Sequence, residues 1–432
     1  MKRGGFFPVM IPALLILAAA GAQPAGGEGA KRFKLDNGMT VICQRDLSSS
    51  VSVLDIVIGG GQAAENPAAA GIAYLATRLA IDLPDKETAE TFAVKAVKYG
   101  MAGRADSTAI HLECLTEYFE KALGMFAAIL ADPLFTSVRI DRLRTAMKHQ
   151  RRIQLDEPRE EARLAQLEAR FGDTGYGRST LGTEKSLAAL RPKEIKEFYL
   201  RHFVAENMVL VAVSDLEESR LLGLLRNAFG GFRRGASPPI PGITAVSPAV
   251  QVRTIEKEVL QTHLSAAVLL PPVSRSTFIL NALIENILGG GPGSKLWPLR
   301  VEKKLAYSVT ATVTEMLGGG ILEACLETEP SKTDEARKAM DETLLLLGEK
   351  GISADELAMA KTGLKARFLR GNEPKSARAV TLGTFEALGL GADFFEAFVR
   401  EVDAISLESI NAYLEKILAP AGIHWVFVGP KR

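Results

Sequence analysis

The sequence predicts an α+β protein built from two tandem homologous halves, and three observations carry that prediction. Strand patterns are mixed with longer helix patterns rather than alternating strictly with them, which argues for one sheet per half with helices layered on it. The plan then repeats. The run ending in Asp156-Glu157-Pro158 resembles the run ending in Asn372-Glu373-Pro374, 216 residues later, and Tyr199 with its following strand echoes Tyr413 with the strand around Trp425, 214 to 216 residues later. Finally, 432 residues with 47% hydrophobic content suffice to bury two cores of roughly 200 residues each.

The elements follow in order. Asp36-Asn37-Gly38 lies between the apolar runs 33–35 and 39–43 and reads as a hairpin turn. A strand at 51–58 ends in Gly59-Gly60-Gly61, and a helix containing Tyr74 follows. A second helix pattern covers 88–99 and a strand covers 109–115. Helices are expected at 117–131, 137–155 and 158–171, then at 192–203 before a strand at 208–213. Residues 235–242, rich in Pro and Gly, begin an interdomain linker placed at 235–250. The expected division is a leader at 1–22, a first domain at 31–234 and a second at 251–432.

Composition narrows the function. The 52 basic and 51 acidic residues give a net charge of +1 with no long single-sign block, so no nucleic acid is expected as a partner. Lys2 and Arg3, an apolar run at 6–20 and Ala20-Gly21-Ala22 form a secretory signal peptide. About 15 apolar residues fall short of the roughly 20 that span a bilayer. No later run is long enough, so the mature chain is expected to be exported, periplasmic or secreted, without a stable membrane span. Cys43, Cys114 and Cys325 sit in apolar strand-like runs, lack any C-x-x-C pattern and are odd in number. Buried free thiols are the expectation, with a Cys43–Cys114 bridge as the alternative.

The chemistry concentrates on Gly71-Ile72-Ala73-Tyr74-Leu75-Ala76-Thr77-Arg78-Leu79. With the preceding strand and glycines it resembles the pitrilysin/insulinase (M16) family of zinc metallopeptidases. There the helix reads G-x-x-H-x-x-E-H, two His one turn apart bind zinc, and the Glu is the general base. In this chain the three positions read Tyr74, Thr77 and Arg78. A phenol, a hydroxyl and a permanent cation do not replace two imidazoles and a carboxylate, and Arg78 would repel Zn²⁺. The family's third ligand, a Glu about eight residues before a D-x-P, falls on Gln150, an amide. The five histidines (His111, His149, His202, His263, His424) form no H-x₃-H pair, so no metal is expected in this chain. His111-Leu112-Glu113 imitates a deaminase H-x-E, but the required P-C-x-x-C is absent.

The resemblance extends over essentially the whole mature chain. Tyr176-Gly177…Gly182-Thr183 is similar to the family's Y-G-x-x-x-x-G-T turn, and Phe198-Tyr199…Asn207-Met208-Val209-Leu210 to its F-Y…N-M-x-L segment. Leu299-Arg300-Val301-Glu302-Lys303-Lys304-Leu305-Ala306-Tyr307-Ser308 is similar to L-R-E-x-x-x-L-A-Y-S. The resemblance implies mostly antiparallel sheets and a cavity enclosed between the halves. It also implies that Arg300 and Tyr307 act as donors to a substrate carbonyl and its developing oxyanion. Some family members are heterodimers in which one chain carries H-x-x-E-H and the other the Arg/Tyr pair. The expectation is therefore a non-catalytic subunit pairing with a zinc-bearing homologue, zinc residing in that partner, and short unfolded peptides as substrate. Gly103, Arg104 and Ala105 would be the sheet edge that binds peptide, with a plain turn as the alternative. Gly290 and Gly291, in a run that misses the G-x-x-x-x-G-K-[ST] pattern, would form a loop at the cavity mouth. A structural or peptide-holding protein is the second reading, and an enzyme with an unrelated, undetected site the third.

Overall fold

A computed structural model describes residues 29–240, 242–246 and 251–431. The signal peptide at 1–22 and part of the linker lie outside these described residues. The first half contains β1 (Lys31–Lys34), β2 (Thr40–Arg45), β3 (Val51–Gly59), α1 (Ile72–Ala80), α2 (Lys86–Val94), β4 (Lys98–Gly103), β5 (Ser107–Leu115), α3 (Thr116–Ala131), α4 (Ser137–Asp156), α5 (Pro158–Phe171), α6 (Glu184–Ala189), α7 (Pro192–His202), β6 (Met208–Ser214) and α8 (Glu218–Phe229). The second contains β7 (Val252–Glu256), β8 (Thr262–Leu270), α9 (Arg275–Gly289), α10 (Trp297–Val301), β9 (Ser308–Thr314), β10 (Gly320–Thr328), α11 (Thr333–Lys350), α12 (Ala354–Gly371), α13 (Lys375–Ala387), α14 (Phe394–Ala404), α15 (Leu407–Ile417) and β11 (His424–Gly429).

The duplication is visible in the sheets. The first runs β1-β2-β6-β3-β5-β4 and the second β7-β11-β8-β10-β9. Apart from the added β1, the strand order is the same. Each sheet is antiparallel except at one corresponding pair, β2 with β6 and β11 with β7. In each half the edge strand on one side, β4 or β9, pairs among the described residues with the strand that follows it.

Strand β3 is buried along its length, so both of its faces must be covered. Leu54, Ile56 and Ile58 face a core shared with Phe119, Phe126 and Leu225 of α3 and α8. Val53 faces the other way, into a cluster with Ala379 and Leu382 of α13, a helix of the second half. The exchange is reciprocal, since Ala162 and Ala165 of α5 pack on Val426 and Val428 of β11. Polar bolts reinforce both crossings. Lys375 Nζ donates to the Ser49 and Val51 carbonyls at 2.6 and 3.0 Å, and Arg378 pairs with Asp46 at 2.6 Å. Gln166 donates to the Ser265 and His424 carbonyls at 3.0 and 3.1 Å. Gly383 lets α13 seat closely, because a Cβ there would meet Val57 Cγ2 at 2.9 Å and Asp55 Oδ2 at 3.0 Å. Each half therefore lends one helix to the other's sheet, in addition to the helices on its own outer face.

One boundary differs from expectation. The helix expected at 88–99 stops at Val94, and Tyr99 belongs to β4. Phe92 and Tyr99 have helix-like spacing, yet they meet edge to face across a turn, with centroids 5.7 Å apart at 81°. The turn is set by Ala96, whose φ of 49° no helix accommodates. The Cys43–Cys114 alternative is also excluded. All three cysteines are free and buried, and β2 and β5 are separated by β6 and β3. Three strand spacings are roughly 14 Å, about twice the Cα reach of a disulfide. Burial pushes the Cys43 thiol up to about 12 and the Cys114 thiol up to about 11, which keeps both protonated and unreactive.

Candidate functional site

The site is built where β3 runs out into its three glycines. Gly60 and Gly61 adopt φ of 121° and 47°, and a Cβ on Gly61 would lie 2.4 Å from Ser107 N. The chain then turns into α1, whose first turn is capped by a buried acid. Glu65 accepts from Gly71 N at 2.9 Å and Ala73 N at 3.0 Å. Burial pushes its carboxyl up to about 8 against the pull of those two amides.

On α1, Tyr74, Thr77 and Arg78 occupy one face by their i, i+3, i+4 spacing. Tyr74 donates its hydroxyl to Gln150 Oε1 of α4 at 3.1 Å. Positions 74 and 150 thus face each other across two helices. Thr77 is fully buried; its Oγ1 donates to Ala73 O at 2.8 Å and lies 3.0 Å from Thr108 Oγ1 of β5. Burial pushes the Tyr99 phenol up, and Arg78, half-buried, stands close enough to offset part of that rise. This constellation is two separate sets of neutral hydrogen bonds, one exposed and one buried, beside a guanidinium. It does not fit zinc, which needs imidazole, thiolate or carboxylate donors. Among the described residues no group of three His, Cys, Asp or Glu side chains is placed to hold a metal ion.

Gly103 links this face to a cavity between the two halves. A Cβ there would meet Tyr74 Cδ2 at 3.0 Å, so the end of β4 passes directly over the phenol ring. Gly103, Arg104 and Ala105 line a cavity of about 450 Å³ at the seam of the two halves, opposite Val313, Thr314, Glu315 and Met316. Gly103 ends the edge strand, whereas Arg104 and Ala105 lie in the turn to β5, so this segment is an edge at one end and a turn at the other. Arg104 Nη1 donates to Thr384 Oγ1 of α13 at 2.8 Å.

Arg300 and Tyr307 lie elsewhere. The Arg300 guanidinium sits over the Trp297 ring, 4.9 Å from its centroid, at the end of α10. Tyr307 precedes edge strand β9, where its N–H donates to Glu327 O at 3.0 Å, and its side chain is 73% exposed. Neither residue lines the seam cavity, and neither does Gly290 or Gly291. Gly290 lines a smaller pocket of about 190 Å³ with Asn286, Lys295 and Glu356. Gly291 takes φ of 94°, a turn only glycine makes cheaply. The structure therefore gathers Tyr74, Thr77, Gln150 and Gly103 around one spot and leaves the Arg/Tyr pair open to the outside.

Sequence reasoning missed a clamp in the cavity wall. Asp106 receives the Tyr176 hydroxyl on Oδ1 and the Leu317 N–H on Oδ2 at 2.9 Å. Gly318 N in turn donates to the Tyr176 oxygen at 3.2 Å. Two residues of the first half thereby grip the turn between β9 and β10. Tyr176 was visible as part of a motif, but its partner 70 residues away was not.

Comparison with known proteins places these features in a family. Residues 40–184 match the family model for insulinase (peptidase family M16), and residues 189–364 match that for the peptidase M16 inactive domain. An uncharacterized zinc protease of Mycobacterium bovis is 24% identical over 411 residues, covering 92% of this chain and 93% of that protein. A non-peptidase homolog YmxG of Helicobacter pylori is 25% identical over 335 residues, 74% of each chain. The crystal structure of a peptidase M16 inactive domain from Pseudomonas fluorescens superposes with a TM-score of 0.85 at 22% identity, covering 94% of this chain and 98% of that one.

Proposed function

This chain belongs to the M16 peptidase family as an inactive-type homologue, and from that premise we propose that it is the non-zinc subunit of an exported heteromeric peptidase. Its partner is a zinc-bearing homologue of the same fold, to whose active site this chain contributes Arg300 and Tyr307. The observation that carries the reading is the contrast between the two half-sites. Tyr74 and Gln150 are spent on a neutral hydrogen bond to each other and Thr77 on Ala73 and Thr108, whereas Tyr307 stays 73% exposed next to the α10 segment that presents Arg300. A phenol O–H and a guanidinium kept open to the outside suit an oxyanion forming on another chain's substrate. The substrate class is a short unfolded peptide extended along a sheet edge such as β4, which ends at Gly103 beside the seam cavity.

Export through the 1–22 leader, domains at 31–234 and 251–432, and the linker at 235–250 complete the proposal. The absence among the described residues of any helix long and apolar enough to cross a membrane accords with it. A non-catalytic structural or peptide-holding role is the second reading, favoured by the likeness to a non-peptidase homolog. A mixing experiment separates the two. The chain alone is expected to hydrolyse no peptide, the zinc-bearing homologue alone to turn over slowly, and the isolated complex to be active. Equal turnover by the homologue with and without this chain supports the second reading and sinks the first.

A further inference from the structure

The seam cavity carries a carboxylate that the chain does not answer. Glu315 follows β9 in the cavity wall. Its Oε1 accepts from Asn281 Nδ2 at 2.9 Å, and Asn281 is fixed in turn by the Tyr413 hydroxyl, which donates to Asn281 Oδ1 at 2.7 Å. Its Oε2 has no hydrogen-bond partner among the described residues. The neighbouring Glu285 adds a second negative charge and is met by Arg367 at 3.5 Å. Burial pushes the Glu315 carboxyl up to about 7 against the pull of the Asn281 hydrogen bond, with Glu285 adding a smaller upward push.

The other charged groups of the wall are engaged. Arg104 is held by Thr384 and faces Asp55, and Arg163 pairs with Glu160 at 3.0 Å. Asp106 has both oxygens filled by Tyr176 and Leu317. A buried carboxylate with one neutral donor is a costly arrangement, relieved by a proton or, when it is ionised at pH 8, by a cation. Glu315 lines the cavity, and because the final torsion of a glutamate is broad its carboxylate can turn towards an incoming cation.

We propose that the seam cavity binds an ammonium or guanidinium group, with the Glu315 carboxylate as its counter-ion. A volume of about 450 Å³ accommodates a whole basic residue. Phe278, Leu167 and Leu388 in the wall suit the aliphatic stem of lysine or arginine. The cation comes either from a basic side chain of a peptide or from a peptide amino terminus. The site lies wholly within this chain, so the inference stands apart from the proposed zinc-bearing partner.

The test is calorimetric titration of the purified full chain at pH 8 with three pentapeptides of otherwise identical alanine sequence. One is N-acetylated with a central lysine, the second replaces that lysine by acetyl-lysine, and the third has a free amino terminus and no lysine. The lysine peptide or the free-amine peptide is expected to bind, and the acetyl-lysine peptide to bind roughly ten- to a hundredfold more weakly, as for loss of a charged hydrogen bond. Whichever cationic peptide binds identifies the source of the cation. Glu315→Gln keeps the oxygen that Asn281 uses and is expected to abolish the preference without lowering Tm. Equal binding of all three peptides, no binding of either cationic peptide, or an unchanged preference in a folded Glu315→Gln variant would overturn the proposal.

Discussion

Replacing Tyr176 by Phe asks whether the two halves are clamped as the structure indicates. The ring is 1% exposed and packs edge to face on Phe171, with centroids 5.4 Å apart at 89°. Phe preserves that packing, so the loss is confined to the hydroxyl. Its bond to the buried Asp106 carboxylate is charge-assisted, a class worth about 1.5–3 kcal/mol. Gly318 N–H also loses its acceptor, adding about 1 kcal/mol because that group is only partly buried. The Leu317 N–H remains on Asp106 Oδ2, so the carboxylate is not stripped bare. The expected destabilisation is about 2–4 kcal/mol. Because α5 and α13 each pack on the other half's sheet, the halves should unfold in one transition. For roughly 400 residues the unfolding entropy is about 0.85 kcal/mol/K, so Tm should fall by about 2–5 °C. Differential scanning calorimetry of both proteins at pH 7 reads this directly. A Tm within a degree of wild type would refute the clamp, and two resolved transitions in the wild type would refute the interlocked halves.

Two further predictions concern the buried acids and the degenerate metal face. Glu323 is 4% exposed on β10 under α5, and burial pushes it up to about 7. A carboxyl raised on folding favours its protonated form, so its contribution is full below its unfolded value near 4.5 and is lost as pH rises towards 7. Glu323→Gln should therefore leave stability nearly unchanged at pH 4 and raise it by up to about 3 kcal/mol at pH 8; urea unfolding showing equal effects at both pH values would exclude this. The purified chain should also fail to retain stoichiometric zinc after dialysis against the metal, because Tyr74 and Gln150 satisfy each other at 3.1 Å. One tightly held zinc per chain by elemental analysis would contradict that.

Much of the architecture was legible because it rests on local periodicity and on repetition. Pro158 and Pro374 each begin or precede a helix that crosses to the other half, α5 and α13, so the repeated D/N-E-P run marks a repeated structural junction. Counting back from Pro158 reaches Gln150, which the unbroken helix α4 sets within hydrogen-bond distance of Tyr74. The end of α2 was not legible. The apolar pair Phe92 and Tyr99 is spaced for a helix, and only the left-handed conformation of Ala96 breaks it, at a residue type that gives no warning. The reciprocal packing of α5 and α13 was equally hidden, because amphipathic periodicity states that a face is buried without stating against what. The Asp106–Tyr176–Gly318 clamp spans separations of 70 and 142 residues, and no short-range pattern encodes it.

The central claim is that this chain lends Arg300 and Tyr307 to an active site whose zinc lies in another chain. The most direct measurement is kcat of the isolated complex, with the zinc-bearing homologue held constant and this chain carrying Tyr307→Phe or Arg300→Ala. The Phe variant removes one donor while keeping the ring, so assembly and folding should be unchanged. Loss of one oxyanion donor typically costs roughly 10²–10³ in kcat, and that is the expected loss for Tyr307→Phe, with Arg300→Ala adding a rise in KM. Wild-type kcat from an intact complex carrying both substitutions would contradict the account and leave this chain a scaffold.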